Sequence, residues 1–281
     1  MHLKRVILHS RTYPTAEAYP FNLALFRQTE AVGFPSAVTF FAGENGSGKT
    51  TFLEAVAQRC GTHIWRTPEG RRVERNPFEK TLHRHLEAEW ADGPVPASFF
   101  SSESHRDFSL MVENWAAADP GQLACFGGKS LVTQSHGQSV MAFFRSRYRL
   151  KGLYFLDEPE TALSPRKQVE LLHLLQEMAA RGHAQFLIAT HSPILLACPG
   201  ATIYNFDRAP LAPIEYEDTE YYRIYRAFLN DRAAFLGDRV TVGDGPARVA
   251  AEGDPPPSPR CPERSRNRRN WNLTPCDEET R

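Results

Sequence analysis

"GENGSGKT", Gly43 to Thr50, is the stretch from which the rest of the chain is read. It fits the spacing G-x-x-x-x-G-K-[ST], and each position has a physical reason. Gly43, Gly46 and Gly48 let the backbone curl until several N–H groups face inward, an arrangement suited to phosphate oxygens. Lys49 adds a compact positive charge, and the Thr50 hydroxyl is a hard oxygen donor suited to Mg2+. Glu44, Asn45, Ser47 and Thr51 fill the remaining positions of the loop and its exit, and are further candidate contacts. The flanks decide between this reading and an incidental Gly-rich turn. "SAVTFFAG" before it reads as a buried strand. "TTFLEAVAQRC" after it reads as a helix with Phe52, Leu53, Val56 and Ala57 on one face. A helix opening directly from the loop adds its N-terminal dipole to the same anion site.

Further along, "LYFLDEPE" is an apolar run ending in Asp157 and Glu158. A carboxylate at that strand end can sit beside a cation held by Thr50, and Glu158 can orient or deprotonate a water. "LIATHSP" ends a further apolar run at His191. One helix and one strand fill the interval from Asp157, so neighbouring parallel strands can bring Asp157 and His191 to one sheet edge. The helix between them is well punctuated, with Ser164 at the N-cap, Pro165 at the first position and Gly182 just past the end. "GLYFLD", "AQFLIAT" and "ATIYNFD" add three strands to the first. Strands alternating with helices predict an α/β fold, a three-layer core with a mainly parallel sheet. The stretch 61–150 is more charged and less regular. It is expected to be a helical lobe, with "HRHLEAEW" and "DFSLMVENWAAA" as helices.

The chain has 281 residues and a formal net charge of zero, so bulk charge points to no acidic partner. No stretch of about 18 continuous apolar residues predicts a membrane span, and the start is too weakly apolar for a signal peptide. Cys60, Cys125, Cys198, Cys261 and Cys276 form no CxxC pair and no zinc spacing, which predicts free thiols in a reducing cytoplasm. His83, His85 and His105 have no carboxylate or Cys spacing around them that marks a metal site. From about Thr241 the sequence is rich in Pro, Arg and Gly. The expected division is therefore a folded domain over 1–240 and a disordered tail over 241–281.

"SHGQS", Ser135 to Ser139, lies about one helix before "LYFLDEPE". Taken alone it is five small polar residues of the kind that fill loops. With the other motifs in place, the chain over most of 1–240 resembles the ABC-type P-loop ATPase superfamily. In that resemblance "GENGSGKT" is Walker A, "LYFLDEPE" is Walker B with a catalytic Glu158, "TALSP" is a D-loop and His191 is the switch histidine. "SHGQS" falls where the family keeps its signature. The resemblance implies ATP and Mg2+, with Thr50 and Asp157 as metal contacts. It also implies an ATP-dependent head-to-tail homodimer in which Ser135, Gly137 and Gln138 face the partner's γ-phosphate. His136 departs from the transporter form of the signature and is similar to small soluble SMC-like and recombination-repair-like ATPases. The long coiled coil of large SMC proteins is absent. No Q-loop glutamine is found, and "ASFFSSESHRDF" is the stretch in its place.

Three functions stay open on the sequence. The first is a cytoplasmic ATPase acting in DNA maintenance or defence, with DNA as a candidate partner. The second is the ATP-binding subunit of a membrane transporter, for which the missing Q-loop is a difficulty. The third is an ATP-dependent nuclease, for which the chain has no room after the core for a carboxylate-rich metal site.

Overall fold

The computed structural model describes residues 1–64, 76–119, 121, 123 and 128–236. The expected disordered tail, with Cys125, Cys261 and Cys276, lies outside the described residues.

Among these residues nine strands form two sheets. β1 (Leu3–Leu8), β2 (Ala31–Gly33) and β4 (Leu86–Trp90) make a small antiparallel sheet in the order β2-β1-β4. The large sheet has the order β5-β6-β7-β3-β8-β9. It is built from β3 (Val38–Ala42), β5 (Ala97–Ser101), β6 (Gly152–Asp157), β7 (Ala184–Ala189), β8 (Thr202–Asn205) and β9 (Ala212–Ile214). All its pairings are parallel except β8 with β9. The helices are α1 (Ala24–Gln28), α2 (Lys49–Arg59), α3 (Ser102–Ala118), α4 (His136–Arg147), α5 (Pro165–Ala180), α6 (Pro193–Leu196), α7 (Glu220–Asn230) and α8 (Arg232–Leu236).

Both faces of the central strands β3, β6 and β7 are covered, so they read as largely apolar runs whose alternate residues go opposite ways. Phe41, Leu153, Phe155, Leu187 and Ala189 enter one core with α2 and the antiparallel sheet. Phe40, Tyr154, Leu156, Phe186 and Ile188 enter the other with residues of α4, α5 and α6. Gln185 joins the two sheets. Its buried Oε1 accepts from the His2 and Leu3 N–H groups at 2.8 Å each, and its Nε2 donates to the Leu3 carbonyl.

The four strands read around the motifs are present, as are the helices α2 and α5 and the helix "DFSLMVENWAAA", which lies in α3. Ser164 stands at the N-cap position of α5, and Gly182 follows the helix at φ +70°. "HRHLEAEW" corrects the expectation of a helix. Leu82–His85 is a single 3-10 turn and Leu86–Trp90 is strand β4. Leu, Glu and Ala favour helix, but the cross-strand partner prevails. Glu89 accepts from two Arg5 guanidinium nitrogens at 2.7 and 2.8 Å, Glu87 meets His9 at 3.0 Å, and Leu86 is buried. With β5 also inside it, the stretch 61–150 is not wholly helical.

Candidate functional site

Three neighbouring strands, β6, β7 and β3, end at one edge of the large sheet. The register pairs Asp157 with Ala189 and Ala189 with Phe41. The loop after β3, the carboxylates after β6 and His191 after β7 therefore share one edge, as the sequence intervals predict.

The loop from Gly43 opens into α2 at Lys49, with Gly48 at φ +100°. A Cβ there would stand 3.0 Å from Leu23 Cδ1 and Phe26 Cζ, so only glycine fits both the backbone and the space. Lys49 is buried, and its Nζ donates to the Gly43 carbonyl at 2.6 Å and the Glu44 carbonyl at 2.8 Å. An ammonium has three donors, and these carbonyls take two. Burial lowers the Lys49 pKa, against the raising fields of Glu158, Asp207, Asp157 and Glu44. Asp207, just after β8, accepts the Glu44 N–H at 2.7 Å and so pins the loop from the far side. Ser47 Oγ is buried and finds no hydrogen-bond partner among the described residues. Thr51 Oγ1 contacts the Tyr19 hydroxyl.

Thr50 Oγ1 donates to Asp157 Oδ1 at 2.9 Å. Burial pushes the Asp157 carboxyl up to about 7, with Glu158, Glu54 and Glu160 raising it further and the Thr50 hydrogen bond opposing them. Such crowding of negative charge is relieved by a cation. Among the described residues no group of three or more His, Cys, Asp or Glu forms a metal cage. One hydroxyl and one carboxylate instead suit Mg2+, which takes its other oxygens from phosphates and water. The orphaned Ser47 hydroxyl, the glycine turn and the buried ammonium fit a phosphate in the loop. ATP with Mg2+ therefore fits the residues present. Thr50 and Asp157 would hold the metal, which supplies charge neutralisation at the phosphates when bound.

Glu158 has φ +44°, ψ +54°, a left-handed conformation costly for a residue with a Cβ. Its backbone is fixed on two sides. Its N–H donates to Ala189 O at 2.9 Å, and its carbonyl accepts from Ser102 Oγ and Thr161 Oγ1 at 2.9 Å each. Its Oε1 lies 3.3 Å from His191 Nε2. Glu160 Oε1 accepts the His191 N–H at 2.6 Å, while burial, first among the causes, raises the Glu160 pKa. His191 Nδ1 lies 2.5 Å from the Tyr221 hydroxyl, which donates to Gly43 O at 2.7 Å. Burial, then Lys49, lowers the His191 pKa, with Glu158 opposing.

The "SHGQS" residues stand apart from this cluster within one chain. Ser135 is exposed at the N-cap of α4. The Gln138 side chain folds back to accept the Ser135 N–H at 3.2 Å, a local capping contact. A Cβ on Gly137 would come within 3.1 Å of the Ala162 carbonyl, so packing against the 3-10 turn Pro159–Ala162 is itself a reason for glycine. In the stretch expected to stand for the Q-loop, the Ser102 hydroxyl donates to the Glu158 carbonyl. His105 is buried on α3 with its Nε2 3.0 Å from Ser139 Oγ. Cys60 and Cys198 are free, and burial pushes their thiols up to about 12 and about 11, unsuited to nucleophilic work.

Asp207, Glu160 and Tyr221 were not singled out from sequence. Glu160 had a signal, since it lies two positions after Glu158 in "DEPE". Asp207 and Tyr221 had none, because only the fold brings them to the loop.

A family model described as "AAA domain, putative AbiEii toxin, Type IV TA system" matches residues 135–197, from the first residue of "SHGQS" to just past His191. The chain is 28% identical over 169 residues to the thiamine import ATP-binding protein ThiQ of Cereibacter sphaeroides, a match covering 54% of this chain and 69% of that protein. Two solved structures are similar in outline. The SMC head domain from Thermotoga maritima has a TM-score of 0.43 at 15% identity, covering 76% of this chain and 100% of its own. The cbiO1 protein from Clostridium perfringens, part of the ABC transporter complex cbiONQ, has a TM-score of 0.48 at 16% identity. That match covers 84% of this chain and 98% of cbiO1. In its motifs, its sheet order and these two sequence matches, the chain is similar to ABC-type P-loop ATPases.

Proposed function

We propose that the chain binds and hydrolyses ATP with Mg2+, and does so between two copies arranged head to tail. The observation that carries this reading is the juxtaposition at one sheet edge. The phosphate loop, the Thr50–Asp157 pair at 2.9 Å and the Glu158–His191 pair at 3.3 Å come from three adjacent strands. Gly43 to Thr51 form the phosphate cradle, with the Lys49 ammonium set for the β- and γ-phosphates. Glu158 orients the attacking water and takes its proton, and His191 holds the γ-phosphate side of the site. Catalysis of this kind rests on positioning and on charges already in place.

The exposed Ser135, with Gly137 and Gln138 at the start of α4, faces the partner copy's nucleotide. An exposed hydroxyl at a helix N-terminus suits an anion, and no described residue of the same chain's phosphate loop pairs with it. What the cycle drives is proposed only by class. A protein partner or DNA moved or released by dimer opening fits a soluble ATPase working in DNA maintenance or defence. No helix among the described residues is long and apolar enough to cross a membrane. The similarity to a thiamine import ATP-binding protein favours a second reading, an ATP-binding subunit serving a separate membrane partner.

The test is MgATP turnover and nucleotide binding in the wild type, Lys49→Ala and Glu158→Gln. Lys49→Ala is expected to lose measurable binding. Glu158→Gln is expected to bind ATP and to turn over about 10²-fold more slowly, or slower still. Normal affinity in Lys49→Ala overturns the cradle, and full turnover in Glu158→Gln overturns the base. Affinity purification on the Glu158→Gln chain then separates the two readings by whether a membrane protein or a soluble protein with nucleic acid is retained.

A further inference from the structure

The geometry points to Tyr221, the second residue of α7, as a positioning residue that sets the proton on His191; this rests on the hydrolytic reading above. The argument is a count of protons. A phenol has one O–H donor. The Gly43 carbonyl can only accept, so the 2.7 Å bond to it uses that proton. The Tyr221 oxygen, 2.5 Å from His191 Nδ1, must then accept, and the imidazole carries its hydrogen on Nδ1. In the neutral ring Nε2 is left bare. It is buried and lies 3.3 Å from Glu158 Oε1, its neighbour across the site.

A bare nitrogen is a proton acceptor placed beside the residue read as the general base. When water is deprotonated, its proton goes to a Glu158 oxygen and from there to Nε2. The product is an imidazolium with Nδ1–H still on Tyr221 and a new Nε2–H able to donate to an anionic phosphate oxygen. Without Tyr221 the ring is free to hold its proton on Nε2, and the acceptor is lost. The groups facing the imidazole are Glu158 and Glu160 from the segment after β6, Lys49 and Glu44 from the phosphate loop, and Tyr221 from α7. Burial raises the Tyr221 pKa, with Glu44 and Asp207 adding to it, which keeps the phenol proton in place for Gly43.

The same hydroxyl ties the histidine to the phosphate loop, so the first turn of α7 sets their spacing. That turn is docked locally. Thr219 is buried and accepts the Tyr222 N–H at 3.3 Å, and the Tyr216 hydroxyl donates to Pro193 O at 3.0 Å, two residues past His191. Beyond this turn α7 buries no residue.

The experiment is a long-range proton–nitrogen correlation spectrum of the full chain with labelled histidines near neutral pH, with His191 assigned by its loss in His191→Gln. We expect the Nδ1–H tautomer in the wild type and a shift to Nε2–H in Tyr221→Phe. In that variant kcat is expected to fall about tenfold, with KM for ATP changed by less than about twofold. An Nε2–H tautomer in the wild type, or an unchanged tautomer in Tyr221→Phe, overturns the assignment. So does an unchanged kcat in Tyr221→Phe. If Tyr221→Phe fails to fold, the wild-type tautomer alone decides. An Nδ1–H wild type that does not hydrolyse ATP overturns the hydrolytic reading and leaves the tautomer assignment standing.

Discussion

Glu158 and Gly48 are a matched pair of backbone problems, and they predict opposite outcomes. Among the described residues Glu158 is the one non-glycine with positive φ, so its carboxylate is presented at a cost of about 1–2 kcal/mol. Glu158→Gly removes that strain and one of the charges crowding Asp157. It is expected to raise unfolding free energy by about 1 kcal/mol while turnover falls about 10²-fold or more. Denaturant titration beside an ATPase assay checks both, and a destabilised variant contradicts the strain account. Gly48→Ala runs the other way. Its Cβ meets Leu23 and Phe26 at 3.0 Å in a left-handed backbone, and a loss of about 1–3 kcal/mol, with weaker nucleotide binding, is expected. The placement of the glycines, Lys49, Thr50 and Asp157 was legible because it follows from local spacing. Asp207 was not legible, because its hydrogen bond to Glu44 spans most of the chain.

At the scale of elements, legibility follows burial. β3, β6 and β7 read correctly because both faces of each strand are buried, whereas β4 read as helix because only its first residue is fully buried and its pairing partner lies near the N-terminus. Helix α4 is steadied by α3 through His105 and Ser139, and this contact predicts a pH effect. Burial, with the His136 field second, lowers His105 to about 4. Between that value and the usual His range of about 6.5, the unfolded chain binds a proton that the folded chain does not. Stability therefore falls as pH drops through this window, by about 1.4 kcal/mol per pH unit at most. Above the window His105 contributes no pH dependence. His105→Gln keeps a partner for Ser139 and is expected to flatten the decline in thermal denaturation between neutral and mildly acid pH. An equally steep decline in that variant means another group is responsible.

At the scale of the whole molecule, one chain carries the proposed phosphate cradle and, apart from it, an exposed Ser135. If the two meet only across a dimer, Ser135→Arg leaves ATP binding by the monomer nearly intact and abolishes ATP-induced dimerisation, read by light scattering. Mixing Ser135→Arg with Lys49→Ala makes one composite site with both lesions and one with neither, and part of the hydrolysis is expected to return. Full turnover in Ser135→Arg alone makes "SHGQS" an ordinary helix start. The sheet order has a further consequence for solvent hydrogen exchange. β6, β7 and β3 are interior strands whose amides are paired on the edge shared with their neighbours, so they open only when the whole domain unfolds. The first turn of α7 is held by a few contacts, so it opens locally and far more often. The deuterium clock of this molecule would then run at two speeds on either side of a single imidazole: slow under the carboxylates, fast behind Tyr221.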